Sequence, residues 1–160
     1  MKNNKGFSLV ELIIVIAIMA VLVGVLAPTY LQYVEKSKKS NDVSTVDSIA
    51  SAIEICAIDP EVTTAGSWSL TATLDKNTGT DIFVATGEGG DKMVAALAAI
   101  VPQDTVLKSD KWDDTNNKFV ITAEPDGLYG KVKIKMVPAS DNANAAYHAY
   151  AKNAKISATS

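Results

Sequence analysis

Residues 12–27 read LIIVIAIMAVLVGVLA and contain no charged side chain. With Phe7–Glu11 before them and Pro28–Tyr30 after them they make about 24 mostly apolar residues, or about 36 Å of helix at ~1.5 Å per residue. That is enough to cross a hydrocarbon layer of ~30 Å. A secretory signal peptide is the simplest alternative. It fits poorly: the apolar stretch is too long, no clear small-residue cleavage box follows it, and it leads straight into a further helical pattern. A plain membrane anchor fits the length but leaves Glu11 unexplained, because a carboxylate inside an apolar span is costly. The lysines flanking the span are nearly balanced: Lys2 and Lys5 come before it, and Lys36, Lys38 and Lys39 come after it beside Glu35.

The stretch K-G-F-S-L-V-E, residues 5–11, resembles the start of class III prepilins, the precursors of type IV pilins and pseudopilins. Their pattern is a short basic leader, a Gly, an apolar residue that is usually Phe, and a Glu at the fifth position after the Gly. Here these are Lys2 to Gly6, Phe7 and Glu11, with Pro28 matching a proline common late in the hydrophobic helix. The resemblance covers residues 1 to about 57. It implies cleavage between Gly6 and Phe7 by a membrane prepilin peptidase, N-methylation of Phe7, and an amino terminus facing inward. Glycine suits the cleavage point because it lets a protease approach the backbone closely. Loss of Lys2 and Lys5 would move the side-chain charge from −3 to −5. Cleavage would also create an amine at Phe7, about one helical turn from Glu11. The resemblance implies that Glu11 pairs with the Phe7 amine of a neighbouring subunit. A buried ion pair of this kind sets stagger between helices, as one buried polar residue sets register in a coiled coil. Gly24 and Pro28 mark a soft point, since Pro28 cannot donate to the Gly24 carbonyl and Gly24 is a poor helix former.

After Pro28 the pattern becomes one-sided. Val43, Val46, Ile49 or Ala50, Ile53, and Cys56 or Ala57 recur at helical spacing, and Lys36, Lys38, Lys39, Asp42, Asp47 and Glu54 lie mostly between them. The spacing predicts that one long helix continues to Asp59-Pro60, with Cys56 as a core thiol. Ser, Thr and Asn between 37 and 48 give only fair helix propensity. Strands are expected over 68–74, 82–85, 119–123 and 131–137, the last two forming a hairpin around Glu124-Pro-Asp-Gly127. Gly87-Glu-Gly-Gly90 reads as a flexible break, followed by a helix over 92–101 with Asp91 as N-cap and Pro102 as its stop. Residues 141–160 are expected to form a short helix near 145–151 and then fray.

The fold class expected is α+β, a long N-terminal helix packed on a small antiparallel β-sheet. The divisions are a leader over 1–6, a transmembrane or filament-core half-helix over 7–30, an amphipathic half-helix over 31–58, and a β-rich head over 59–160. The same architecture is implied by the pilin resemblance.

Chemistry-bearing clusters are few. Asp110, Asp113 and Asp114 belong to an acidic-amide stretch that could hold calcium, as the loop of major pseudopilins does. The alternating carboxylates and central Gly of an EF-hand loop are missing, so a solvated turn is expected and no metal is assigned. Gly87–Gly90 lacks the Lys-Ser/Thr of a phosphate loop. One His, His148, and one Cys, Cys56, far apart in sequence, offer no nucleophile–base pair. His148, between Tyr147 and Tyr150, is expected at the surface. No enzyme and no cofactor are expected. All fifteen basic residues are lysines in a chain of net charge −3, so nothing marks a specific nucleic-acid partner. The resemblance implies a structural pilin that waits in the cytoplasmic membrane, in contact with lipid, and is then polymerised by a membrane assembly machinery into a surface homopolymer. The alternatives are a pseudopilin of a type II secretion or competence system, and a monomeric membrane-tethered binding domain.

Overall fold

A computed structural model describes residues 6–76, 82–102, 104–109, 112, 118–127, 131–138 and 157–158. Two compact units, Met1–Ser37 and Lys38–Ser160, divide the chain, and helix α1 (Leu9–Ala57) contributes to both. The other elements are α2 (Pro60–Thr63), β1 (Ser69–Leu74), β2 (Phe83–Thr86), α3 (Gly90–Ile100), β3 (Phe119–Pro125), β4 (Val132–Pro138) and β5 (Ser157–Ala158).

In the first unit α1 carries apolar side chains on every side, and all of them from Leu9 to Leu31 are exposed in the single chain. The helix is long and apolar enough to cross a membrane. It stays helical through Gly24 and Pro28, although Pro28 offers no amide to the Gly24 carbonyl.

In the second unit the same helix turns one-sided. Val43, Val46, Ile49, Ala50, Ile53, Cys56 and Ala57, the stripe read from spacing, are all buried. They share one core with Leu70, Ala72 and Leu74 of β1, Phe83 of β2, Met93 and Leu97 of α3, and Phe119, Ile121 and Ala123 of β3. The buried stripe holds the Ser/Thr-rich stretch helical, and its hydroxyls bond back to carbonyls one turn earlier and do not compete for backbone amides. Ser44 donates to Ser40 (3.1 Å), Thr45 to Asn41 (3.0 Å), Ser48 to Ser44 (2.8 Å) and Ser51 to Asp47 (3.0 Å). Helix α1 stops at Ala57, and Pro60 both bars its continuation and opens α2. Asp59 caps α2 by accepting from the Glu61 amide at 2.8 Å.

The sheet order is β2-β1-β3-β4-β5. The first four strands are antiparallel, and register places the apolar residues together: Ala72 opposite Phe83 and Ile121, Leu70 opposite Ala85 and Ala123, and Ala123 opposite Ile134. Period-2 alternation therefore puts one face of the sheet on α1, the helix-on-sheet arrangement that the pattern predicts. The β3–β4 hairpin closes with the Asp126 amide on the Lys131 carbonyl at 2.7 Å.

Three details differ from expectation. The carboxyl end does not simply fray: Ser157–Ala158 pair with Lys135–Met136 in parallel, covering part of the β4 edge. The stretch at 87–90 is a packed turn and not a flexible break. Gly87 has φ +94°, and a Cβ there would meet the Ser67 carbonyl oxygen at 2.3 Å; one on Gly89 would meet the Gly66 carbonyl oxygen at 2.9 Å. The N-cap of α3 is accordingly Gly89, with no side-chain capping bond, and Asp91 sits in the first turn. Close packing against 66–68 takes precedence over side-chain capping, and Asp91 retains only its favourable place near the helix dipole. The expected helix near 145–151, with Tyr147, His148 and Tyr150, lies outside the described residues.

Candidate functional site

Gly6, Phe7 and Ser8 precede the first helical residue. Gly6 has no atom within 4 Å of where a Cβ would stand, so nothing in this chain's own fold requires a glycine there. Phe7 is 89% exposed. The first helical hydrogen bond runs from the Leu12 amide to the Ser8 carbonyl at 3.2 Å, which makes Ser8 the N-cap of α1.

Glu11 then occupies the third helical position. Its Oε2 accepts from the Ser8 amide at 2.9 Å, while Ser8 Oγ accepts from the Val10 amide at 3.3 Å. Each side chain thus satisfies a backbone donor near the other, the reciprocal arrangement of a capping box. Sequence reasoning singled out Glu11 and passed over Ser8, although Ser-x-x-Glu ahead of an apolar run is itself a recognisable signal. The Glu11 carboxylate is directed back along the chain toward residue 8, the neighbour of Phe7.

Near the soft point, the Thr29 hydroxyl donates to the Leu26 carbonyl at 2.8 Å. A Cβ on Gly24 would meet nothing outside the helix's own backbone.

A second polar feature was missed altogether. Asp42 lies among the charged residues between the apolar positions of α1, yet it is 1% exposed. Its Oδ1 accepts from the Lys108 amide (2.7 Å), and its Oδ2 from the Ser109 amide (2.9 Å) and from Trp112 Nε1 (2.8 Å). Lys39 Nζ lies 5.2 Å from the Trp112 ring centroid, and that ring meets Phe119 edge-on at 4.9 Å. This is a structural clamp: it ties the segment after α3 to α1 with three donors on one carboxylate. Asp110, Asp113 and Asp114, the calcium candidates, lie outside the described residues. Cys56 is buried, and burial pushes its thiol upward with a further rise from the Asp59 carboxylate, so it stays protonated and inert at neutral pH.

Comparison with known proteins bears first on the amino-terminal segment. The family described as the prokaryotic N-terminal methylation motif matches residues 1–27, the segment that holds Gly6, Phe7, Ser8 and Glu11. A type IV major fimbrial protein FimA of Dichelobacter nodosus is 34% identical over 130 residues, 80% of this chain and 69% of that protein. The chain belongs to the type IV pilin family. Other pilin relatives match over a shorter stretch. Another FimA of Dichelobacter nodosus is 39% identical over 56 residues, 35% of this chain and 36% of its own length. Prepilin peptidase-dependent protein D of Escherichia coli K12 is 34% identical over 59 residues, 37% of this chain and 40% of its own. The match thus spans little more than a third of the length of these relatives. No solved structure matches the chain significantly.

Proposed function

We propose that this pilin is a structural subunit of a type IV pilus-like filament, made as a precursor, cut between Gly6 and Phe7, and polymerised through its apolar helix. The observation that carries the reading is an apolar helix, exposed on every side from Leu9 to Leu31, that begins with Ser8 and Glu11 immediately after Gly6-Phe7. A surface of this kind has to be covered, first by lipid and then by other copies of the same helix. Fimbrial and pilus-subunit names among the relatives support the same reading and point away from an enzyme.

The steps follow from the chain's chemistry. Hydrolysis of the Gly6–Phe7 peptide leaves a carboxylate on Gly6 and an ammonium on Phe7; after losing a proton, that amine can displace the leaving group of a sulfonium-type methyl donor and take its methyl group. The exposed, non-helical Gly6–Ser8 segment offers the scissile peptide outside the hydrogen-bonded helix. The glycine requirement is the peptidase's own, since the fold leaves room for a side chain at position 6. Glu11 supplies the carboxylate to which a neighbour's Phe7 ammonium pairs during assembly. Each subunit carries one such donor and one such acceptor at different points, so the contact is heterologous and propagates along a filament. The second unit, with its own buried core, forms the filament surface. Gly24 and Pro28 are where the core helix adapts, because one carbonyl there lacks its backbone donor.

Mass measurement and N-terminal sequencing of sheared surface filaments test this reading. The expected chain starts at methylated Phe7, and a bulky replacement of Gly6 leaves the precursor uncut. A filament-free surface, or a mature chain that starts at Met1 or after Ala27, overturns it.

A further inference from the structure

We infer that Tyr30, Tyr33 and Lys36 form a headgroup site for anionic phospholipid, which fixes the depth at which the unassembled subunit waits in the membrane. The inference rests on the pilin reading above and names the lipid chemistry that this end of the span takes. Residues 12–34 carry no charge, which gives about 35 Å of helix at ~1.5 Å per residue, slightly more than one hydrocarbon layer. The far end of this stretch therefore lies where acyl chains give way to headgroups. Thr29 sits just inside that boundary. Its hydroxyl donates to the Leu26 carbonyl at 2.8 Å, so this polar group is satisfied within the helix. The residues that follow change character. Tyr30 and Tyr33 are 67% and 71% exposed, and tyrosine favours this boundary because its ring is apolar and its hydroxyl is wet.

Lys36 completes the site. It stands three residues after Tyr33, on a shared helical face, and its Nζ lies 5.7 Å from the Tyr33 ring centroid. Helical side chains lean toward the amino terminus, which brings the ammonium back toward the level of Tyr33 and so toward the bilayer. Lys36 is exposed, whereas Lys38 and Lys39 are half-buried and Lys39 lies over Trp112. Glu35 is half-buried, and as the adjacent residue it does not share the face of Lys36. A phosphodiester oxygen can accept from the Lys36 ammonium on the side away from the ring, and the tyrosine hydroxyls add donors at the same level. Charge decides which lipid gains most. A headgroup of net negative charge is attracted to the ammonium, while a zwitterionic one carries its own cation, which offsets that attraction. Entry into a filament has to break this contact.

Fluorescence quenching by brominated lipids tests this on the full chain in bilayers. Leu31→Trp supplies a reporter beside the site, and the chain without it gives the background from Trp68 and Trp112. The protein is reconstituted in phosphatidylcholine vesicles that contain a minority of brominated phosphatidylglycerol, or the same fraction of brominated phosphatidylcholine. Phosphatidylglycerol should be enriched about fivefold around residue 31, the factor expected for one lysine at an anionic surface. Lys36→Gln should remove the preference and Lys36→Arg should keep it. Added salt should weaken it, and inorganic phosphate at equal ionic strength should do no more than chloride. Tyr33→Leu should let residue 31 sink, which moves the strongest quenching from bromines near the headgroup to bromines deeper in the chains. Equal quenching by the two lipids, or a preference that survives Lys36→Gln, overturns the headgroup site. Displacement by phosphate beyond that by chloride assigns the lysine to a free anion and overturns it too. An unchanged depth in Tyr33→Leu overturns the depth-setting role. Absence of quenching by either lipid places the span outside the bilayer and overturns the membrane step of the pilus reading instead.

Discussion

Trp112 donates its indole hydrogen to Oδ2 of Asp42 across 2.8 Å, which joins residues 70 positions apart in sequence. The carboxylate also holds the Lys108 and Ser109 amides, so one buried group organises the end of the segment that leads from α3 toward β3.

Replacement of Asp42 should therefore unfasten that segment. Every buried residue among those described lies at or after Asp42, so a fragment of residues 38–160 keeps the core intact and should fold as a soluble monomer. In that fragment Asp42→Ala leaves three donors without their acceptor and should destabilise by about 3 kcal/mol or more. Asp42→Asn keeps one oxygen and should cost roughly half as much. Urea unfolding monitored by tryptophan emission measures both, and a red shift from Trp112 should accompany the loss. Unchanged midpoints would show that the clamp contributes nothing.

Gly87 and Gly127 both have positive φ, +94° and +81°, but their surroundings differ. A Cβ on Gly127 meets nothing within 4 Å, whereas one on Gly87 collides with the Ser67 carbonyl oxygen. Gly127→Ala should cost only the backbone strain, about 1 kcal/mol. Gly87→Ala should cost about 3 kcal/mol, since the packed turn must also move. Thermal unfolding of the two variants side by side gives the comparison, and equal shifts would contradict it.

Cys56 sets a pH expectation. Its folded-state value is raised above the ordinary 9.0 by burial and by Asp59. The folded state therefore holds this proton more tightly than the unfolded state does. That contribution is fully present below about pH 9 and is lost as pH rises through the raised value. The native thiol should resist alkylation at pH 8 and react promptly once the protein is unfolded. Rapid labelling of the folded protein would place the thiol outside the core.

Glu11→Gln separates charge from shape. Burial of an uncompensated carboxylate at helix depth costs ~2.5 kcal/mol or more on insertion scales, so the variant should enter the membrane more readily. It should be cut at Gly6 and then accumulate in the membrane pool, because it cannot pair ionically with a neighbour's Phe7 ammonium. Co-expression with wild type should rescue it in part, since the variant still presents its own amine. Quantified membrane and sheared-filament fractions provide the measurement; normal yield and helical symmetry from the variant alone would remove ion pairing from the assembly step.

Local pattern made much of this protein readable from its sequence. The apolar run, the buried stripe from Val43 to Ala57, the alternating strands 69–74, 119–125 and 132–138, and the Gly6-Phe7-Glu11 spacing each depend on residues a few positions apart, where helix and strand periodicity act directly. The Ser8–Glu11 box is equally local and was legible as Ser-x-x-Glu. Asp42 was not, because on the helix it is one more polar residue beside the apolar stripe. Only the return of Lys108, Ser109 and Trp112 to α1 supplies its three donors and makes its burial tolerable. Gly87 and Gly89 were read as freedom of the backbone. The tertiary structure makes them a constraint, since the 66–68 backbone passes too close for any side chain. The parallel pairing of Ser157–Ala158 on β4 likewise depends on which sheet edge the completed fold leaves open. Sequence by itself determined the elements and the amino-terminal motif of residues 1–27, which depend on near neighbours. Tertiary structure alone decided which polar groups are buried and which glycines are indispensable, because both depend on segments brought together from far along the chain.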